Sequence, residues 1–147
     1  MKEIYSGINE LGDEYLAAVI CKDFPEPVAE FLRSIQVNIL LHGWEHRQYS
    51  ELPAEEVTKD LKRGILFIEK TFGKRPTEFV PPWEKTSEVL ISVCQKLGLS
   101  IHHSEKWIMG YKPDENVSGV FFHLWDWREI PVVRWAIAYQ KLLRKCR

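Results

Sequence analysis

Short apolar runs alternate along this chain with stretches that repeat hydrophobic residues every three or four positions. The first run, Tyr15-Leu16-Ala17-Ala18-Val19-Ile20, is apolar throughout, as a strand buried on both faces would be. Lys22-Asp23, then Pro25 and Pro27, end it and leave Asp23 at its carboxyl end. Val28, Phe31, Leu32 and Ile35 recur at helical spacing, with proline near the first turn, where a missing N–H is harmless. A second run, Asn38-Ile39-Leu40-Leu41, empties into His42-Gly43-Trp44-Glu45-His46. Pro53 then opens a long helix: Glu55 and Glu56 suit its amino end, Val57, Leu61, Ile65, Ile68 and Phe72 share one face, and Gly73-Lys74-Arg75-Pro76 stops it.

The remainder keeps the rhythm. Glu78-Phe79-Val80 reads as a brief strand running into a rigid turn at Pro81-Pro82-Trp83. Thr86 or Ser87 caps a helix bearing Val89, Leu90, Val93 and Leu97, closed by Gly98. Leu99 to His102 is a fourth strand and Val120 to Leu124 a fifth, separated by a loop marked by Pro113-Asp114-Glu115-Asn116. Trp135 to Lys145 is a last helix with basic residues near its end. Residues 1 to 13 are too irregular to assign.

Strands alternating with helices predict an α/β fold: a mostly parallel sheet with right-handed crossover helices. A full eight-fold barrel needs more than about 200 residues, so 147 residues predict an incomplete or distorted (β/α) barrel in a single domain, 1–147.

Composition narrows the function. The net charge is -1, with 20 basic residues scattered among 21 acidic ones, so the chain carries no electrostatic footprint for nucleic acid or an anionic membrane. Neither partner is expected. Cys21, Cys94 and Cys146 lie far apart without paired spacing, which argues for reduced thiols rather than a disulfide framework or a zinc knuckle. With no apolar leader at the amino terminus and no run long enough to span a bilayer, a cytoplasmic location is expected.

Cut where their apolar runs stop, the strands are followed by Asp23, by His42 to His46, by Trp83-Glu84, by His102-His103 and by His123-Leu124-Trp125-Asp126-Trp127. A parallel sheet gathers these ends on one rim, where such folds hold ligands. His42 and His46, at i and i+4 beyond a strand, can address one divalent ion, and zinc is the ion that neutral imidazoles suit. A bare histidine pair is better read as a strand cap and a solvated loop residue; the strand end and the Gly-Trp filling turn this one toward metal. His123 sits where an ordinary imidazole pKa would serve proton transfer, although a core histidine is the commoner outcome after Phe121-Phe122. His102 and His103 alternate, so one of them faces the site. Trp44, Trp83, Trp125 and Trp127 could stack on the apolar faces of sugars or plug the rim as core, and at least one of the last two is expected in the core.

Three motifs, His42-Gly-Trp-Glu-His46, Phe79-Val-Pro-Pro-Trp83 and His123-Leu-Trp-Asp-Trp127, together resemble the polysaccharide deacetylase family from about Tyr15 to the last helix. The resemblance implies a distorted (β/α) barrel that removes N-acetyl groups from amino sugars with a divalent metal, usually zinc. It implies His42 and His46 as metal ligands and His123 as the group that protonates the leaving amine. Nothing before Tyr15 matches the family's opening aspartate motif, which supplies a base and a third ligand, and Val80 stands where the family has arginine. The chain thus resembles a member lacking its first β/α unit, with Asp23 the carboxylate at a neighbouring strand end available as base. Its substrate is expected to be a carbohydrate or other N-acylated small molecule. The other readings are a non-catalytic member that binds saccharide through its tryptophan rim, or a fragment or accessory subunit whose open sheet edge is covered in a homo-oligomer.

Overall fold

Four of the apolar runs pair side by side in parallel. In the computed structural model, which describes residues 16–35, 37–103, 107–109 and 119–121, β1 (Leu16–Val19), β2 (Asn38–Leu41), β3 (Glu78–Phe79) and β4 (Ser100–Ile101) form one sheet in that order. Every pairing in it is parallel. The crossovers contain α1 (Glu26–Ser34), α2 (Ala54–Phe72) and α3 (Glu88–Lys96). The mostly parallel α/β sheet with crossover helices follows from the sequence pattern as expected.

Register decides which residues the helices cover. Val19 lies opposite Leu41, Leu41 opposite Phe79, and Phe79 opposite Ile101. With Ala17 and Ile39 these residues share one face. That face packs against Leu32 of α1, Val57, Leu61, Ile65 and Ile68 of α2, and Leu90, Val93 and Cys94 of α3. Alternation sends Leu16, Ala18, Asn38, Leu40, Glu78 and Ser100 to the other face.

The helix ends use the signals in the sequence. Gly73 closes α2 in the left-handed conformation (φ 72°), its N–H donating to the Glu69 carbonyl. Ser87, rather than Thr86, caps α3, its side chain accepting from the Leu90 N–H. Val89, expected among the apolar residues of α3, is exposed. It stands one position off the stripe that buries Leu90, Val93 and Cys94. The helix of 19 residues, α2, carries charges throughout, and no helix among the described residues is long and apolar enough to cross a membrane.

A second compact unit holds β5 (Trp107–Met109) and β6 (Gly119–Phe121), which pair in parallel with Trp107 opposite Gly119. β5 corrects the sequence reading, which placed a loop between the fourth and fifth strands. Three residues are too few to show a period of two, and the turn residues around them mask the apolar Trp-Ile-Met. The expected last helix, His123, Trp125 and Trp127 lie outside the described residues.

Helix α2 lies close against the sheet at Gly64, where an added Cβ would stand 2.6 Å from Leu41 Cδ1. Gly64→Ala is therefore expected to cost about 1–3 kcal/mol by overpacking, read as a lower urea midpoint at unchanged slope. The buried thiols of Cys21 and Cys94 are pushed up to about 12 by loss of solvation. At pH 8 their thiolate populations should be lower by about 10³-fold than for an ordinary thiol. Iodoacetamide followed by peptide mass spectrometry should find both unmodified in the native protein and modified once it is unfolded in denaturant.

Candidate active site at the carboxyl ends of the strands

Burying Leu41 on the helical face turns His42 to the other face as β2 ends. The His42 N–H donates to the Val19 carbonyl (2.9 Å), holding the backbone to β1. Its ring reaches the other way: Nδ1 lies 2.7 Å from the Val80 carbonyl at the end of β3. A carbonyl only accepts, so Nδ1 carries a proton, and in the neutral imidazole the lone pair is then on Nε2. This is the tautomer and the kind of anchoring found in metal-binding histidines.

The loop after His42 is stitched to its surroundings. Cys21 N–H donates to Gly43 O (3.1 Å) and Lys22 N–H to Trp44 O (2.8 Å). Lys22 Nζ reaches Glu45 Oε1 at 2.8 Å, and that ammonium holds the exposed Glu45 carboxyl below its usual range. Glu45 is thereby turned to Lys22. Arg47 binds Asp60 Oδ2 through Nη1 (3.0 Å) and Glu56 Oε2 through Nη2 (2.9 Å), tying the far end of the loop to α2. Asp60 is the buried charged side chain among the described residues, and Arg47 accounts for its burial.

Of the residues singled out from the sequence, His42, His46 and Trp83 come together. The two imidazole centroids are 5.1 Å apart, and His46 meets the Trp83 indole at 4.3 Å. Trp83 is 57% exposed. Both it and Glu84 hold a left-handed backbone (φ 56° and 58°) after the buried Pro81-Pro82 pair, a conformation worth about 1–3 kcal/mol of strain for such residues. That turn presents the indole to His46.

Trp44 is placed elsewhere. Its indole packs edge-on against Phe67 of α2 and beneath the Arg63 guanidinium, 4.1 Å from the ring centre. Asp23 is exposed on the turn after β1, with φ 55°. Among the described residues no set of three or more His, Cys, Asp or Glu side chains is arranged to hold a metal ion. His42 and His46 would fit as two imidazole donors of such a centre, which takes three protein ligands when catalytic.

Two features escaped the sequence reading. His102, whose backbone N–H donates to Phe79 O, holds Glu78 Oε2 at 2.7 Å through Nδ1, while His103 is exposed. Cross-strand register places Glu78 and His102 on the face that carries His42. Tyr49, which had no assigned role, lies under the histidine loop with 1% of its surface exposed, and burial pushes its phenol up to about 12. A cavity of about 410 Å³ bounded by Thr77, Ile91, Gln95 and Ser100 opens near the amino ends of β3 and β4, at the opposite end of the strands from the histidines.

A parallel α/β sheet with an imidazole pair at its carboxyl rim defines the class, a strand-end site of the (β/α)-barrel type. The chain belongs to the polysaccharide deacetylase family, whose model matches residues 13–102. It is 26% identical over 81 residues to a chitin deacetylase from Pestalotiopsis sp, covering 55% of this chain and 27% of that protein. A family 4 acetyl xylan esterase from Clostridium thermocellum, solved with a cobalt ion, superposes with a TM-score of 0.72 at 15% identity, covering 98% of this chain and 77% of that one. A CE4 family pseudoenzyme from Bacillus anthracis gives 0.63 at 13% identity, over 68% of this chain and 36% of that one. These structural likenesses establish the distorted (β/α) barrel fold. The chain spans about a quarter of the chitin deacetylase's length.

The Arg47–Asp60 pair gives a direct test of the loop anchor. Arg47→Met should cost about 1.5–3 kcal/mol because it strands a buried carboxylate, and Arg47→Met with Asp60→Leu should recover most of that loss. Urea denaturation of the single variants and the double variant measures both.

Proposed function

We propose that this chain provides the metal-binding part of a hydrolase that removes N-acetyl groups from amino-sugar polysaccharides. The observation that carries the reading is the His42 Nδ1 to Val80 carbonyl contact. It makes Nδ1 the donor, so that the neutral ring has its lone pair on Nε2, beside a second histidine and an exposed indole. A divalent ion bound there, with zinc the expected one, supplies Lewis acidity and makes a water molecule more acidic. The chain's residues have separate tasks. His42 and His46 donate nitrogen lone pairs, and Trp83 offers an apolar face to a sugar ring. In this reading Asp23 accepts the proton from water and His123 returns one to the leaving nitrogen.

Calorimetric titration with zinc should show binding by the parent and a loss of more than about 100-fold in affinity for His42→Ala and for His46→Ala. With zinc supplied, acetate release from N-acetylated chito-oligosaccharides should fall in Asp23→Asn and in His123→Ala. Unchanged zinc binding in both histidine variants would refute the metal centre. Turnover indifferent to Asp23→Asn would place the base elsewhere. A parent that binds zinc and chito-oligosaccharide, with tryptophan fluorescence responding, yet releases no acetate would be a saccharide-binding protein on this fold.

A further inference from the structure

We infer that the Tyr49 hydroxyl, with the missing side chain of Gly43, is a positioning device that sets the path of the chain between His42 and His46 so that both imidazoles can serve one ion. The inference rests on the metal-centre reading above.

Tyr49 follows His46 by three residues and begins a short 3₁₀ turn, Tyr49–Glu51. Its ring is fixed by the core, edge-on to Phe79 at 5.5 Å. From this fixed point the hydroxyl meets two main-chain groups of the histidine loop. It accepts from the Trp44 N–H at 3.0 Å and donates to the Glu45 carbonyl at 3.1 Å. A hydroxyl has one proton and two lone pairs, so both bonds form at once.

Gly43 completes the fit. It sits at φ +110°, where side-chain-bearing residues are strained, and a Cβ there would stand 2.7 Å from the Tyr49 hydroxyl and 2.8 Å from the Glu45 carbonyl. The phenol fills the room that any side chain at position 43 would need. The ends of the loop are held independently, His42 by Val19 and Val80 and Arg47 by Asp60 and Glu56. Between these anchors Cys21 and Lys22 bind the Gly43 and Trp44 carbonyls from the β1 side, and Tyr49 holds the other side through the Trp44 N–H and the Glu45 carbonyl. It thereby completes the course of residues 43 to 46 and sets the separation of the two rings.

The test separates positioning from simple stabilisation. Tyr49→Phe keeps the ring in the core and removes only the hydroxyl. Ile68→Val, in a fully buried position on α2, lowers stability without touching the loop. Tyr49→Phe should weaken zinc affinity by about 10–100-fold, the range for residues that orient metal ligands. It should also shift the visible absorption bands of the cobalt-substituted protein and abolish slow hydrogen exchange at the Trp44 amide. Ile68→Val should keep the parent's zinc affinity and cobalt bands. Gly43→Ala, which displaces the loop with the hydroxyl present, should reproduce the loss of affinity. A parent that binds zinc together with a Tyr49→Phe protein of equal affinity and identical cobalt bands overturns this inference alone. A parent that takes up no zinc overturns the metal-centre reading and this inference together.

Discussion

The site depends on the burial of Leu41. Its side chain is fully enclosed by the helical face, close against Gly64, with Val19 and Phe79 as its register partners on either side. Side chains on a strand alternate, so enclosing Leu41 requires that the next residue face the other way. That residue is His42. A slip of one position in β2 would send the imidazole into the hydrophobic layer in place of Leu41, so the aim of the histidine is protected by the apolar contacts of the whole sheet.

Much of this arrangement was legible in the sequence because it is local or periodic. The stripe of Val57, Leu61, Ile65 and Ile68, the stop at Gly73 and the cap at Ser87 are each written within a few residues. The i, i+4 histidines after an apolar run belong to the same class, and the structure brings their rings together. What could not be read depends on contacts between distant segments. The Val80 carbonyl that orients His42 is a main-chain atom and has no signature in sequence. The pairing of Glu78 with His102 requires the β3–β4 register, and the choice between His102 and His103 follows from it. Trp44 looked equivalent to Trp83 at a strand end; Phe67 and Arg63, about twenty residues further along the chain, decide that its indole faces α2.

Fold and site carry different parts of the argument. The parallel sheet and its likeness to family 4 esterases establish an architecture, and one architecture can serve an active enzyme or an inactive relative. The local chemistry is narrower. An imidazole whose Nδ1 is held by a carbonyl and a second imidazole against an indole are favourable contacts, while the left-handed backbone at Trp83 and Glu84 that presents the indole costs free energy to maintain.

The bonds from Cys21 to Gly43 and from Lys22 to Trp44 continue the main-chain pairing of β1 and β2 past the last residues of both strands. The loop between the histidines is therefore an extension of the sheet, and opening it means separating part of that sheet. Such a loop is a poor gate. Whatever ligand reaches the two imidazoles meets main chain already held in place, so binding there carries little cost of ordering residues 43 and 44.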